Sequence, residues 1–223
     1  MVRRACVRTL EPLVGDETVS IAIQKKLSDP SRNVRVAAAW ALRANLPDAS
    51  PAAADLKRYL AVNSDQPVGQ LQLGLYYYAR GDLETAREHL QTAVDWDGFS
   101  APLRLNLAVV LSALGQTSNA VEQLQIACRN SPENAEAHFS LGLALNEQGD
   151  SAQALKELQT AVQIDPHFAR AWYNLGLLQN ATGNPQEAIN SLLRGEKADP
   201  TDPRIPYARA TILIHLGREN EAV

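Results

Sequence analysis

The stretch AWYNLGLLQNATGNPQEAINSLLRGEKADP, residues 171–200, decides the fold of this chain, because much of its pattern recurs at intervals of 34 residues. Glycine, alanine and leucine each return at this interval. The recurring residues are Gly81, Gly115, Gly149, Gly183 and Gly217; Ala86, Ala120, Ala154, Ala188 and Ala222; and Leu73, Leu107, Leu141 and Leu175. A period of this length indicates stacked units, none of which buries its apolar face alone.

Each period predicts two amphipathic helices of roughly 13 residues joined by a turn. Glycine can end the first helix in the left-handed conformation, and a short polar residue after it can cap the second. We expect these roles for Gly81, Gly149 and Gly183 and for Asp82, Asp150 and Asn184. The pattern therefore predicts an all-α fold.

At these residues the chain resembles the tetratricopeptide repeat, a 34-residue helix–turn–helix unit, and residues 169–202 carry even its characteristic tryptophan, Trp172. The resemblance implies an α-solenoid, a right-handed superhelix whose first helices line the inner curve. It covers residues 67–223. We expect complete units at 67–100, 101–134, 135–168 and 169–202 and a partial unit at 203–223.

Residues 1–46 follow another pattern. VRRACVRTLEPL (residues 2–13) and VRVAAAWALRANL (34–46) resemble the second helices of HEAT repeats, with Arg4 and Arg35 in matching places. We expect HEAT-like helices at 1–46 and one joining helix within 47–66. Leu56, Leu60 and Ala61 would cover the open face of the first tetratricopeptide unit.

Composition excludes several classes of function. The formal charge of −4 over 223 residues argues against nucleic-acid binding, which needs a basic surface. The longest apolar runs are too short to insert in a membrane. Two cysteines, Cys6 and Cys128, rule out a disulfide framework, and we expect both to be buried thiols.

No catalytic residue, cofactor site or metal site is expected. The four histidines form no HExxH pair, and phosphate-binding and nucleophile motifs are missing. His138 stands where the next unit has Trp172, so we interpret it as a packing residue. These observations favour a non-enzymatic scaffold that binds a protein or peptide.

The resemblance implies a groove lined by the fifth and ninth residues of each unit. Residues at the sixth and twelfth positions add to it. We expect aromatic anchors at Phe139, Tyr173 and Tyr207, and hydrogen bonds from Asn106 and Asn174 to a peptide backbone. The complete candidate set is Leu71, Tyr78, Leu105, Asn106, Phe139, Tyr173, Asn174, Leu177 and Tyr207.

The two ends of the sequence suggest a piece of a longer protein. The fifth unit supplies one helix only, so Ile212, Leu213 and Leu216 would stay partly uncovered and favour self-association. The order of the segments also resembles the C-terminal region of some bacterial multihaem c-type cytochromes. An accessory module of such an enzyme is therefore the alternative function, which implies a periplasmic location rather than a cytoplasmic one.

Overall fold

The computed structural model describes residues 2–221, which form helices joined by short turns. Within that range there are thirteen α-helices and no β-strand, which confirms the predicted all-α fold. The chain divides into two compact units, Met1–Gly98 and Phe99–Val223.

The N-terminal unit contains six α-helices, the first five of which contribute to two small cores. One core holds Val7, Ile23 and Val34, and the other holds Leu56 and Tyr76. The helices are α1 (Val2–Leu10), α2 (Glu17–Gln24), α3 (Arg32–Ala41), α4 (Pro51–Val62), α5 (Pro67–Ala79) and α6 (Leu83–Trp96).

Two sequence expectations for this unit need correction. Leu56 and Leu60 of α4 are buried against Tyr76 of α5, as expected, but Ala61 is exposed and covers nothing. Cys6 is also exposed rather than buried, because the one residue of α1 that is buried in the core is its neighbour Val7.

The C-terminal unit consists of helix pairs that alternate between 13 and 14 residues until the last helix, which has 12. We call the first member of each pair the first helix and the other the second helix. They are α7 (Ala101–Ala113), α8 (Thr117–Asn130), α9 (Ala135–Glu147), α10 (Ser151–Ile164), α11 (Ala169–Ala181), α12 (Pro185–Ala198) and α13 (Arg204–His215).

The turn inside each pair requires glycine. Gly149 has φ = 92° and Gly183 has φ = 86°, both in the left-handed region that other residues avoid. Asp150 then caps α10, since its Oδ1 accepts the backbone N–H of Gln153 at 3.0 Å. Asn184 occupies the same place before α12, but its side chain makes no cap bond, contrary to expectation.

Close contact between the paired helices depends on a small residue in each first helix. A Cβ built on Gly142 would lie 2.8 Å from Cγ of Leu158, and one on Gly176 would lie 2.7 Å from Cγ of Leu192. The buried leucine of the second helix therefore fills the space where a side chain would otherwise stand.

The last helix is better covered than expected. Ile212 and Leu213 are buried and form one cluster with Ile189 and Leu192 of α12, because the preceding pair already offers them an apolar face. Leu216, beyond the end of α13, is 43% exposed, as expected.

Candidate partner-binding face on the first helices

Exposed apolar side chains form a row on the first helices of the C-terminal unit. Val109, Leu143 and Leu177, the ninth residues of successive units, are 49%, 38% and 39% exposed. The fifth-position residues Leu105 and Tyr173 are half-buried. We call these five residues together with Tyr207, which is 76% exposed, the first-helix face.

A recess of about 260 Å³ opens on this face between α7 and α9. Leu105, Val109 and Leu143 line it, with Ser140 and Glu147 supplying polar groups at the same place. The recess is large enough for an aliphatic side chain, so this part of the face offers an apolar socket.

Phe139 does not lie on the surface as an anchor, which corrects the sequence expectation. Its ring is only 5% exposed and packs against Phe168 with 4.8 Å between ring centroids. The guanidinium of Arg170 lies over the same ring, 5.3 Å from its centroid. Phe139 is therefore part of the packing and not of the first-helix face.

The two groove asparagines each use one amide hydrogen within their own helix. Nδ2 of Asn106 donates to the Pro102 carbonyl at 2.7 Å, and Nδ2 of Asn174 donates to the Arg170 carbonyl at 2.8 Å. A carboxamide has a second N–H and an acceptor oxygen. These bonds fix each side chain and use only one of the two N–H groups of its amide.

Three family models of the tetratricopeptide repeat match this chain, at residues 67–92, 105–167 and 145–212, which together are more than half of it. The chain belongs to the tetratricopeptide repeat (TPR) family. No curated protein sequence matches it significantly.

Solved TPR-like structures agree with this assignment. PilF of Pseudomonas aeruginosa is 26% identical with a TM-score of 0.64, over 74% of this chain and 73% of its own. MamA of Desulfovibrio magneticus RS-1 is 20% identical with a TM-score of 0.63, over 71% and 89%. The thermophilic TPR protein TTC0263 of Thermus thermophilus is 25% identical with a TM-score of 0.57, over 70% and 86%. The fold is thus an α-solenoid, and TPR folds in general are scaffolds for protein–protein interaction.

Two TPR positions of the candidate set lie in the N-terminal unit. Tyr78 is 38% exposed on α5, whereas Leu71 is half-buried. No helix within residues 2–221 has the length and apolarity needed to cross a membrane.

A polar contact links the two helices of several TPR units, at positions 19 residues apart. Gln70 contacts His89, Arg104 contacts Gln123, and His138 contacts Glu157. His138 was expected to be a packing residue, but the structure shows that it also bonds. Nδ1 of His138 lies 2.6 Å from Oε2 of Glu157, and Nε2 lies 3.1 Å from the Pro132 carbonyl oxygen.

Cys128 completes a group that the sequence reasoning missed. Its Sγ and the ligand atoms of His138 and Glu157 all lie within 4.8 Å of one another. Burial raises the pKa of the Cys128 thiol to about 12, with a further contribution from the charge of Glu157. The only sequence signal was that His138 replaces a tryptophan, because the three residues follow no metal-binding motif.

Proposed function

We propose that this TPR protein is a non-enzymatic interaction scaffold that binds an apolar peptide or partner segment along the first-helix face. The observation that carries the proposal is the exposure of Val109, Leu143 and Leu177 at equivalent positions of three consecutive units. Single exposed apolar residues are common on protein surfaces, but a row repeated at one position marks a surface that another molecule covers.

The row favours a ligand with apolar side chains spaced along its length. The recess between α7 and α9 would hold one such side chain, in contact with Val109 and Leu143. Tyr207 would add an aromatic contact on α13, and tyrosine contributes more than most residues to interface energy.

The ligand backbone would be held by Asn106 and Asn174. Both side chains are already fixed by a bond within their own helix, so little conformational entropy is lost when they pair with a peptide group. The carboxamide accepts and donates, which suits any backbone conformation.

A display selection tests this function without a known partner. Random peptides are selected on the full chain and then measured against a variant with Val109→Glu, Leu143→Glu and Leu177→Glu. The matched control carries Ile164→Glu and Leu193→Glu, which are 36% and 39% exposed but lie on second helices. Far-ultraviolet circular dichroism tests whether both variants keep their helices.

We expect selected peptides to be rich in apolar residues, to lose at least tenfold in affinity for the first-helix variant, and to keep their affinity for the control. Equal affinity for both variants would place the binding surface elsewhere and refute the proposal.

A further inference from the structure

Three side chains from three helices meet at the junction of two repeat units. Cys128 lies on α8, His138 on α9 and Glu157 on α10, and their ligand atoms are all within 4.8 Å of one another. We propose that these residues form a site for one divalent transition-metal ion of the zinc class. The site does not depend on the first-helix face or on its ligand.

Both ring nitrogens of His138 face an oxygen atom. Nε2 faces the carbonyl oxygen of Pro132 and Nδ1 faces the carboxylate of Glu157. A neutral imidazole has one N–H, so it can donate to only one of these two acceptors. At the other contact the ring nitrogen presents a lone pair to an oxygen, and a metal ion bound there would take both atoms as ligands.

The Pro132 contact is the arrangement that metal-binding histidines adopt. A ligating histidine usually donates its second ring N–H to a backbone carbonyl or a carboxylate, which fixes the tautomer and the ring. With the N–H on Nε2 and donated to Pro132, Nδ1 would keep a lone pair 2.6 Å from Glu157 that a metal ion could use.

The distances need only small changes. Tetrahedral zinc with bonds of about 2.0–2.3 Å places its ligand atoms roughly 3.3–3.6 Å apart. Nδ1 of His138 and Oε2 of Glu157 would move apart from 2.6 Å, and the widest pair, now within 4.8 Å, would close. Rotation of the Glu157 carboxylate, which sits on a side chain 20% exposed, allows the first of these changes.

The ligand set selects the class of metal. One thiolate, one imidazole and one carboxylate suit Zn²⁺ and its close relatives, whereas Mg²⁺ and Ca²⁺ prefer oxygen ligands alone. A water molecule would complete the tetrahedron, since the side chains of His138 and Glu157 are 13% and 20% exposed and solvent can reach the site.

Binding must displace the proton of Cys128. The thiolate is the form of cysteine that binds a metal, so the S–H bond breaks as the sulfur–metal bond forms. One proton is released to solvent from this group for each ion bound, so affinity should rise with pH.

The neighbouring units provide substitutions that the fold already accepts. Val162 stands 34 residues after Cys128, Trp172 after His138 and Ser191 after Glu157. Val162, Trp172 and Ser191 are buried, so Cys128→Val, His138→Trp and Glu157→Ser each insert a residue known to fit that position of a repeat.

Titration of the metal-free full chain with Co²⁺ tests the site, because a thiolate bound to Co²⁺ gives a charge-transfer absorption that oxygen and nitrogen ligands do not. We expect one Co²⁺ per chain, this absorption, and its displacement by Zn²⁺. Cys128→Val should abolish the charge-transfer band, and His138→Trp and Glu157→Ser should each weaken binding at least tenfold. Cys6→Ser, which removes the exposed thiol, is the control and should change nothing.

The unmodified chain decides the result even if a variant fails to fold. A titration with no thiolate absorption would overturn the proposal. Unchanged binding in folded Cys128→Val would overturn it as well.

Discussion

The third and fourth repeat units, residues 135–168 and 169–202, have the same backbone and different chemistry. Their helices have equal lengths, 13 and then 14 residues, and both turns contain a left-handed glycine. His138 and Trp172 even contact equivalent carbonyls, each that of the proline six residues earlier, at 3.1 and 2.9 Å. Trp172 then packs beneath Arg194, whereas His138 turns to Glu157.

The comparison separates the positions that set the helix packing in both units from a position whose side chain differs between them. Glycine and leucine at the contact between paired helices are shared by the two units, and they set the packing distance. The position of His138 and Trp172 differs in side chain between the two units, although their helices have the same lengths.

The largest loss of stability should come from substitution of the glycines that both units share at the contact between paired helices. Gly142→Val and Gly176→Val should each destabilise the chain by about 3 kcal/mol, because the new side chain overlaps Leu158 or Leu192 in a packed core. Denaturant titration followed by circular dichroism measures the cost. Asn146→Val, on the exposed side of α9, is the control and should stay within about 0.5 kcal/mol of the parent. Markedly unequal costs would show that Gly142 and Gly176 do not have the same packing role.

Exchange of the two differing residues should have a smaller and unequal effect. Trp172→His should cost about 2 kcal/mol, because a ring that is 7% exposed loses much of its packing. His138→Trp should cost about 1 kcal/mol, since the same position of the next unit holds tryptophan and only the side-chain contact with Glu157 is lost. Thermal unfolding of the two variants tests the order. A larger loss for His138→Trp would mean that the two units do not pack alike at this position.

The smallest effect should come from His89. This residue lies on the second helix of the unit 67–100, whereas His138 lies on the first helix of its unit. His89 contacts Gln70 at 2.7 Å, and burial lowers its pKa below the usual value of 6.5. Below about pH 6.5 the unfolded chain takes up this proton more readily than the folded chain, so the free energy of unfolding should fall as pH falls.

His89→Gln isolates this contribution, because Gln123 occupies the equivalent position of the next unit. Melting temperatures compared between about pH 7.5 and about pH 5.5 should drop less in the variant than in the parent. An equal drop in both proteins would show that His89 has no part in the pH dependence.

Periodicity explains what could be predicted from the sequence. The helix pairs, the glycine turns and the Asp150 cap depend on residues that recur, and all are confirmed. Most of the errors fell on residues that do not recur, although Asn184 stands at a recurring cap position and makes no cap bond. Phe139 is buried because Phe168 and Arg170 cover its ring, and the positions equivalent to Phe168 in other units hold Asn134 and Asp202.

The cluster of Cys128, His138 and Glu157 was missed for the same reason. Its spacings of 10 and 19 residues match no metal-binding motif. The three residues also do not recur at intervals of 34, so the repeat pattern gives no sign that they lie together. The HEAT-like character of residues 1–46, self-association and the accessory-module alternative stay predictions. The last of these depends on sequence outside this chain.

Hydrogen–deuterium exchange of the full chain with and without a selected peptide tests most directly whether the first-helix face is the binding surface. Binding along the first-helix face should add protection in α7, α9 and α11 and change it little in α8, α10 and α12. Protection confined to the second helices would contradict this prediction.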